Sequence, residues 1–256
     1  MIGIYMSGTG NTKHCVGKLL SVIDPKAEML PIESPESADK IRQSDTVLIA
    51  FPTQFSNVPF MVKDFIRRNS EIWKDKKVFC MTTMGAFSGD GAGCAARLLK
   101  KYGAKIIGGL HVRMPDAVCD NKMLKKSLEE NKRIIREADK KIEAVGKKIV
   151  DEGIYPQDGL SFMAHIAGLF GQRLWFYGKT LNYSDKLKIN DACVGCGICA
   201  NNCPMGNLKI VDGKAVADNR CAMCYRCISH CPKQAITLLG KEVIEQCRYD
   251  RYLMIL

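Results

Sequence analysis

From Met1 onward, short apolar runs alternate with segments whose apolar positions recur at helical spacing. Met1 to Ser7, Ala27 to Ile32, Thr46 to Thr53, Lys77 to Thr83 and Lys105 to Met114 read as strands. Between them, Gly10 to Val22, Pro35 to Gln43, Pro59 to Arg68 and Gly91 to Tyr102 read as helices, and Asn121 to Val150 as a long closing one. Alternation of this kind calls for a five-stranded, doubly wound parallel sheet with helices on both faces, an α/β fold. Gly153, Pro156 and Gly159 then break the pattern. The expected division is 1–152 for the α/β domain, 153–183 for a linker and brace helix, and 184–256 for a smaller module with a C-terminal tail.

Ser161 to Thr180 reads as an amphipathic helix with Phe162, Ile166, Leu169, Phe170, Leu174 and Phe176 along one stripe. Such a stripe lies on a membrane surface or packs between two domains, and an interdomain brace is the expectation. Gly178-Lys179-Thr180 matches the end of a phosphate-binding P-loop, but Arg173 stands where that pattern needs glycine and no strand precedes it.

Cysteine usage changes the picture. Of thirteen cysteines, eight fall in two copies of one pattern. Cys193-Val-Gly-Cys196-Gly-Ile-Cys199-Ala-Asn-Asn-Cys203-Pro204 returns 28 residues later as Cys221-Ala-Met-Cys224-Tyr-Arg-Cys227-Ile-Ser-His-Cys231-Pro232. Three cysteines two residues apart wrap one corner of an iron–sulfur cubane, and the fourth, carried off by a helical turn, ligates the other cluster. Cys193, Cys196, Cys199 and Cys231 would hold one cluster, and Cys221, Cys224, Cys227 and Cys203 the second. Zinc sites use four ligands in two C-x-x-C pairs, which this doubled triple spacing does not fit. The module, about Ser184 to Gly240, resembles bacterial two-cluster 4Fe-4S ferredoxins and implies a small α+β fold. Gly195, Gly197, Ala200 and Ala222 are small enough to let backbone N–H groups approach the sulfurs. Cys15, Cys80, Cys94, Cys119 and Cys247 share no spacing and read as core residues.

After the first strand, Ser7-Gly8-Thr9-Gly10-Asn11-Thr12 opens into a helix. Loop amides, the helix dipole and the hydroxyls of Ser7, Thr9 and Thr12 suit a phosphate, with the amide of Asn11 as a further donor. This S-G-T-G-N-T run, placed after strand one, resembles the FMN phosphate loop of the flavodoxin family across Met1 to about Val150. The resemblance implies that the flavin ring is clasped by Pro52, Thr53 and Phe55 after the third strand. After the fourth, it implies Thr83, Met84, Gly85, Phe87 and Gly89, all at carboxyl ends of parallel strands. Phe55 and Phe87 are the expected ring-flanking side chains.

The formal charge of +11 would suit nucleic acid, but cluster thiolates and a flavin phosphate offset much of it, and an acidic redox protein is the expected partner instead. A homodimer that closes the flavin pocket stays among the expectations. No charged segment followed by an apolar run opens the chain, and no stretch of 18 uncharged apolar residues occurs, so a reducing cytoplasmic compartment is expected, where thiols bind metal rather than pair.

The whole chain resembles flavodoxin–ferredoxin fusion proteins of anaerobic bacteria and archaea. That implies an electron-transfer iron–sulfur flavoprotein passing electrons between two 4Fe-4S clusters and FMN. The alternative is a ferredoxin-dependent FMN oxidoreductase reducing a quinone or nitro compound. No catalytic acid or base stands out among His14, His111, His165 and His230, and no second nucleotide fingerprint occurs.

Overall fold

The computed structural model describes residues 1–176 and 186–253. Strands β1 (Ile2–Tyr5), β2 (Glu28–Pro31), β3 (Thr46–Pro52), β4 (Lys77–Met84) and β5 (Lys105–Arg113) alternate with helices α1 (Asn11–Ile23), α2 (Ser37–Arg42), α3 (Phe60–Arg68), α4 (Gly91–Lys101) and α5 (Leu128–Glu152). The five strands pair in parallel in the order β2-β1-β3-β4-β5. Strands β1, β3 and β4 are buried on both faces, which is why each reads as a near-continuous apolar run. One face of the sheet packs on Val62, Ile66, Trp73 and Leu99, the other on Val16, Leu19, Ile135 and Ile142. Beyond α6 (Phe162–Gly168), Lys188–Ile189 pairs antiparallel with Ile236–Thr237, and Leu208–Val211 with Lys214–Ala217.

Two elements differ from the sequence reading. The closing helix begins at Leu128, not near Asn121, because Ser127 caps it by accepting from the Glu130 N–H at 3.2 Å. Asn121 instead caps a short 3₁₀ turn, Lys122–Leu124. The amphipathic stretch is helical from Phe162, but a π-helical segment, Leu169–Arg173, interrupts it before helix resumes over 174–176, and Tyr177 to Thr180 lie outside the described residues. Of its stripe, Phe162, Phe170 and Leu174 are exposed, whereas Ile166, Leu169 and Phe176 are half-buried and Phe176 stacks on Phe55. Polar contacts hold α6 as well. Asp90, fully buried, accepts from Arg97 at 2.6 Å, Arg173 at 2.9 Å and His165 at 2.9 Å.

The loop after β4 is also tied to β5. The Ala92 N–H donates to His111 Nε2 at 3.4 Å, so the Nδ1 proton is left for the Ser88 hydroxyl at 2.7 Å. The Ala92 contact requires the neutral ring, and burial holds His111 below the ordinary histidine range. The unfolded chain therefore takes up this proton first as pH falls. The stabilisation is complete above the ordinary histidine value and is lost as pH drops through the lower folded one. Anaerobic urea denaturation between pH 7.5 and 5.5 should show stability falling below about pH 6.5. H111Q should be about 1 kcal/mol less stable at pH 7.5 and show a shallower fall; an equally steep fall contradicts the assignment.

Candidate functional site

The loop after β1 turns into α1 through Gly10, whose φ of 96° lies in the left-handed region. Ser7, Thr9, Asn11 and Thr12 are all buried. Thr12 and Thr83 hydroxyls lie 2.8 Å apart. Two hydroxyls sharing one hydrogen bond leave one proton for a ligand. The Asn11 Nδ2 donates to the Pro115 carbonyl at 2.8 Å, which commits one of its two amide hydrogens, and its Oδ1 is buried without a partner. Its side chain fastens the loop after β5, while its backbone N–H remains in the first turn of α1.

These residues open into a cavity of about 310 Å³ at the carboxyl ends of the strands, lined by all the residues expected around a flavin except Gly10 and Gly89. Gly10 faces outward, toward Tyr249, and Gly89 packs against Gly168 of α6. Phe55 and Phe87 both line the cavity; Phe55 also stacks on Phe176 with centroids 4.8 Å apart. Phe55 and Ser56 hold φ of 49° and 55°, left-handed conformations that cost non-glycine residues energy and turn Phe55 toward the cavity and Phe176. The donor set fits a phosphorylated flavin: one uncommitted hydroxyl proton, helix-terminal amides and the unpartnered buried Oγ1 of Thr53 all occur on this wall.

Sequence reasoning missed a second wall, formed by Met114 to Val118 after β5, by Gln172 and by Met223, Cys224 and Tyr225. The rule that ligands sit beyond parallel strand ends applied equally to β5 and would have found the first part. Asp116 stands there with its carboxyl pushed above the ordinary range by burial, partly offset by the Val118 N–H at 2.8 Å.

The eight patterned cysteines fall into two groups. Cys193, Cys196, Cys199 and Cys231 line one small cavity; Cys203, Cys221, Cys224 and Cys227 line another. This is the crossed grouping expected from the spacing. Backbone N–H groups reach four of the sulfurs: Ala215 to Cys193 at 3.4 Å, and Asn207, Met223 and Ala235 to Cys203, Cys221 and Cys231, each at 3.3 Å. Such donors stabilise thiolate and favour cluster ligation. Burial pushes the Cys221 thiol up to about 11, so iron must displace a tightly held proton. The donor chemistry, four sulfurs per cavity with amides aimed at them, fits a four-thiolate cluster.

The two copies share a backbone. Gly195 and Gly197 are left-handed at φ 64° and 78°, and the equivalent Met223 and Tyr225 at 52° and 60°. Tyr225 is held there by Asp120, a buried carboxylate that accepts its hydroxyl at 3.0 Å and the N–H groups of Leu238 and Leu239 at 2.6 and 2.9 Å.

The cysteine loop rests on the loops of the α/β domain. A Cβ on Gly8 would lie 1.7 Å from the Cys224 carbonyl oxygen, so only glycine fits. Gln54 donates to the carbonyls of Ala222 and Met223 at 2.9 and 3.2 Å. Arg226 donates to the Ser7 carbonyl at 2.9 Å and pairs with Glu33 at 2.7 Å.

Residues 2–133 match the family described as Flavodoxin domain, and residues 178–236 the one described as 4Fe-4S dicluster domain. Among solved structures, the two-electron reduced flavodoxin of Megasphaera elsdenii is 22% identical, with 57% of this chain and 99% of that one covered at a TM-score of 0.42. A Fusobacterium nucleatum flavodoxin bound to flavin mononucleotide is 17% identical, with 58% and 95% covered at 0.40. No curated protein matches. Among the described residues, no helix is long and apolar enough to cross a membrane. With more than half its length on the first of these families, the chain belongs to the flavodoxin family and continues into a 4Fe-4S dicluster domain, a flavodoxin–ferredoxin fusion and an iron–sulfur flavoprotein of electron transfer.

Proposed function

We propose that this chain passes electrons between two 4Fe-4S clusters and FMN, and onward to a separate redox protein. Cys193, Cys196, Cys199 and Cys231 hold the first cluster, and Cys203, Cys221, Cys224 and Cys227 the second. The observation that carries this reading is that Cys224 lines the cavity fitted to the flavin, so a ligand of the second cluster and the flavin share one wall.

In this reading the Ser7 and Thr9 backbone, the Thr12–Thr83 hydroxyl pair and the α1 terminus bind the phosphate. Pro52, Thr53, Phe55, Met84, Gly85 and Phe87 orient the ring, and Met223 to Tyr225 exclude water between ring and cysteine loop. FMN supplies exchange of one or two electrons, which lets one-electron clusters feed two-electron chemistry. The first cluster lies nearer solvent: Cys196 is exposed, with Val194, Ile198 and Ile210 exposed around its group. That end is where a partner docks, and the formal charge of +11 favours an acidic one.

Protein purified without oxygen should carry about eight iron and one FMN per chain, with cluster absorbance bleached by dithionite. About four iron would reduce the reading to a single cluster, and a flavin-free protein would contradict the FMN assignment. In G8A the added methyl collides with the Cys224 carbonyl and forces the phosphate loop and cysteine loop apart. Its FMN dissociation constant, read from flavin fluorescence, should rise at least tenfold, about 1.4 kcal/mol or more. Wild-type affinity in G8A would show that this contact does not shape the flavin site.

A further inference from the structure

Cys119 and Cys247, expected to be inert core residues, do not have the surroundings of packed hydrophobes. Both are fully buried although 128 positions apart in sequence, and Cys247 Sγ lies 3.9 Å from the carbonyl oxygen of Val118, the residue before Cys119. The Lys125 ammonium donates to Cys247 Sγ at 2.7 Å, and the Ser229 hydroxyl lies 3.0 Å from Cys119 Sγ. The segment carrying Cys247 is laid against Cys119 by the N–H groups of Ile244 and Glu245, which donate to the Cys119 carbonyl at 2.9 and 3.1 Å. A purely apolar packing role requires none of these polar partners. An ammonium beside a thiol favours the thiolate, the form that attacks sulfur, and two thiols on segments tied to one another can approach to bonding geometry.

The position is equally specific. Ala117 and Val118, immediately before Cys119, line the flavin cavity. Ser229 sits in the helix Arg226–His230, between the cluster cysteines Cys227 and Cys231. The pair thus adjoins both the loop that lines the flavin cavity and the helix that carries Cys227.

We propose that Cys119 and Cys247 are a redox-active dithiol–disulfide pair, a further two-electron centre of this chain. Oxidation forms one Cys119–Cys247 sulfur–sulfur bond, releases the two thiol hydrogens as protons and delivers two electrons to oxidised FMN; reduction reverses each change. The choice of FMN as acceptor rests on the function proposed above, whereas the existence of the pair does not. Lys125 stabilises the thiolate of the reduced form, so its removal favours the disulfide.

The test uses the full holoprotein in two anaerobic arms. One is poised with soluble redox mediators that exchange with flavin and clusters; the other is equilibrated for many hours with dithiothreitol buffers of graded ratio, long enough for local opening. Samples are acid-quenched with chelator, denatured, alkylated with iodoacetamide and mapped by mass spectrometry. The proposal expects a joined Cys119–Cys247 peptide pair appearing in one two-electron step in both arms, with Cys15 and Cys80 alkylated throughout. K125M should move the dithiothreitol equilibrium several-fold toward disulfide. A step in the dithiothreitol arm alone overturns FMN as acceptor and leaves the pair standing. Full alkylation of Cys119 and Cys247 in both arms, or an equilibrium unmoved in K125M, overturns the pair itself.

Discussion

The backbone of Gly8, in the loop after β1, touches the backbone of Cys224, and much of the molecule is arranged to permit that contact. A side chain at position 8 would separate the loop fitted to a phosphate from the loop that carries Cys221 to Cys227. The contact is guarded on both flanks. On one side Gln54 binds the Ala222 and Met223 carbonyls; on the other Arg226 bridges the Ser7 carbonyl and Glu33. A hydrogen bond from a charged group such as Arg226 contributes about 1.5–3 kcal/mol and one from the neutral Gln54 amide about 1 kcal/mol, so the interlock is substantial against the stability of a small domain. From outside, the Tyr249 N–H donates to the Thr9 carbonyl at 2.8 Å, so the end of the chain closes over its beginning.

The same constraint separates the two cysteine copies. Their backbones share the left-handed positions, but the first copy meets them with Gly195 and Gly197, the second with Met223 and Tyr225. A flavin wall needs side chains at those places. The strain of two non-glycine left-handed residues is borne there because Asp120 fixes Tyr225 and Met223 closes the cavity. The first copy has no flavin to face, and its Cys196 stays exposed.

Local pattern made most of the fold legible. The alternation of strands and helices forecast the five-stranded parallel sheet, and the cysteine spacing forecast which four sulfurs meet in each cavity. S-G-T-G-N-T located one wall of the flavin cavity. What stayed hidden depends on residues far apart in sequence. The Asn11 amide donates to Pro115, the Tyr225 hydroxyl to Asp120 and the Arg226 guanidinium to Glu33. No local period encodes such pairs. In the amphipathic stretch the apolar stripe was legible, but its polar anchor, His165 and Arg173 on buried Asp90, was not. Cys119 and Cys247 likewise looked incidental because their relation exists only after folding.

A crystal structure of the holoprotein, grown and frozen without oxygen, would decide whether flavin and second cluster meet across the Cys221 to Cys227 loop. The account predicts the flavin ring in van der Waals contact with the Met223 to Tyr225 backbone and the second cluster bound through Cys224 on the other side of that loop. A ring seated outside this cavity, or separated from Cys224 by another layer of side chains, would contradict it.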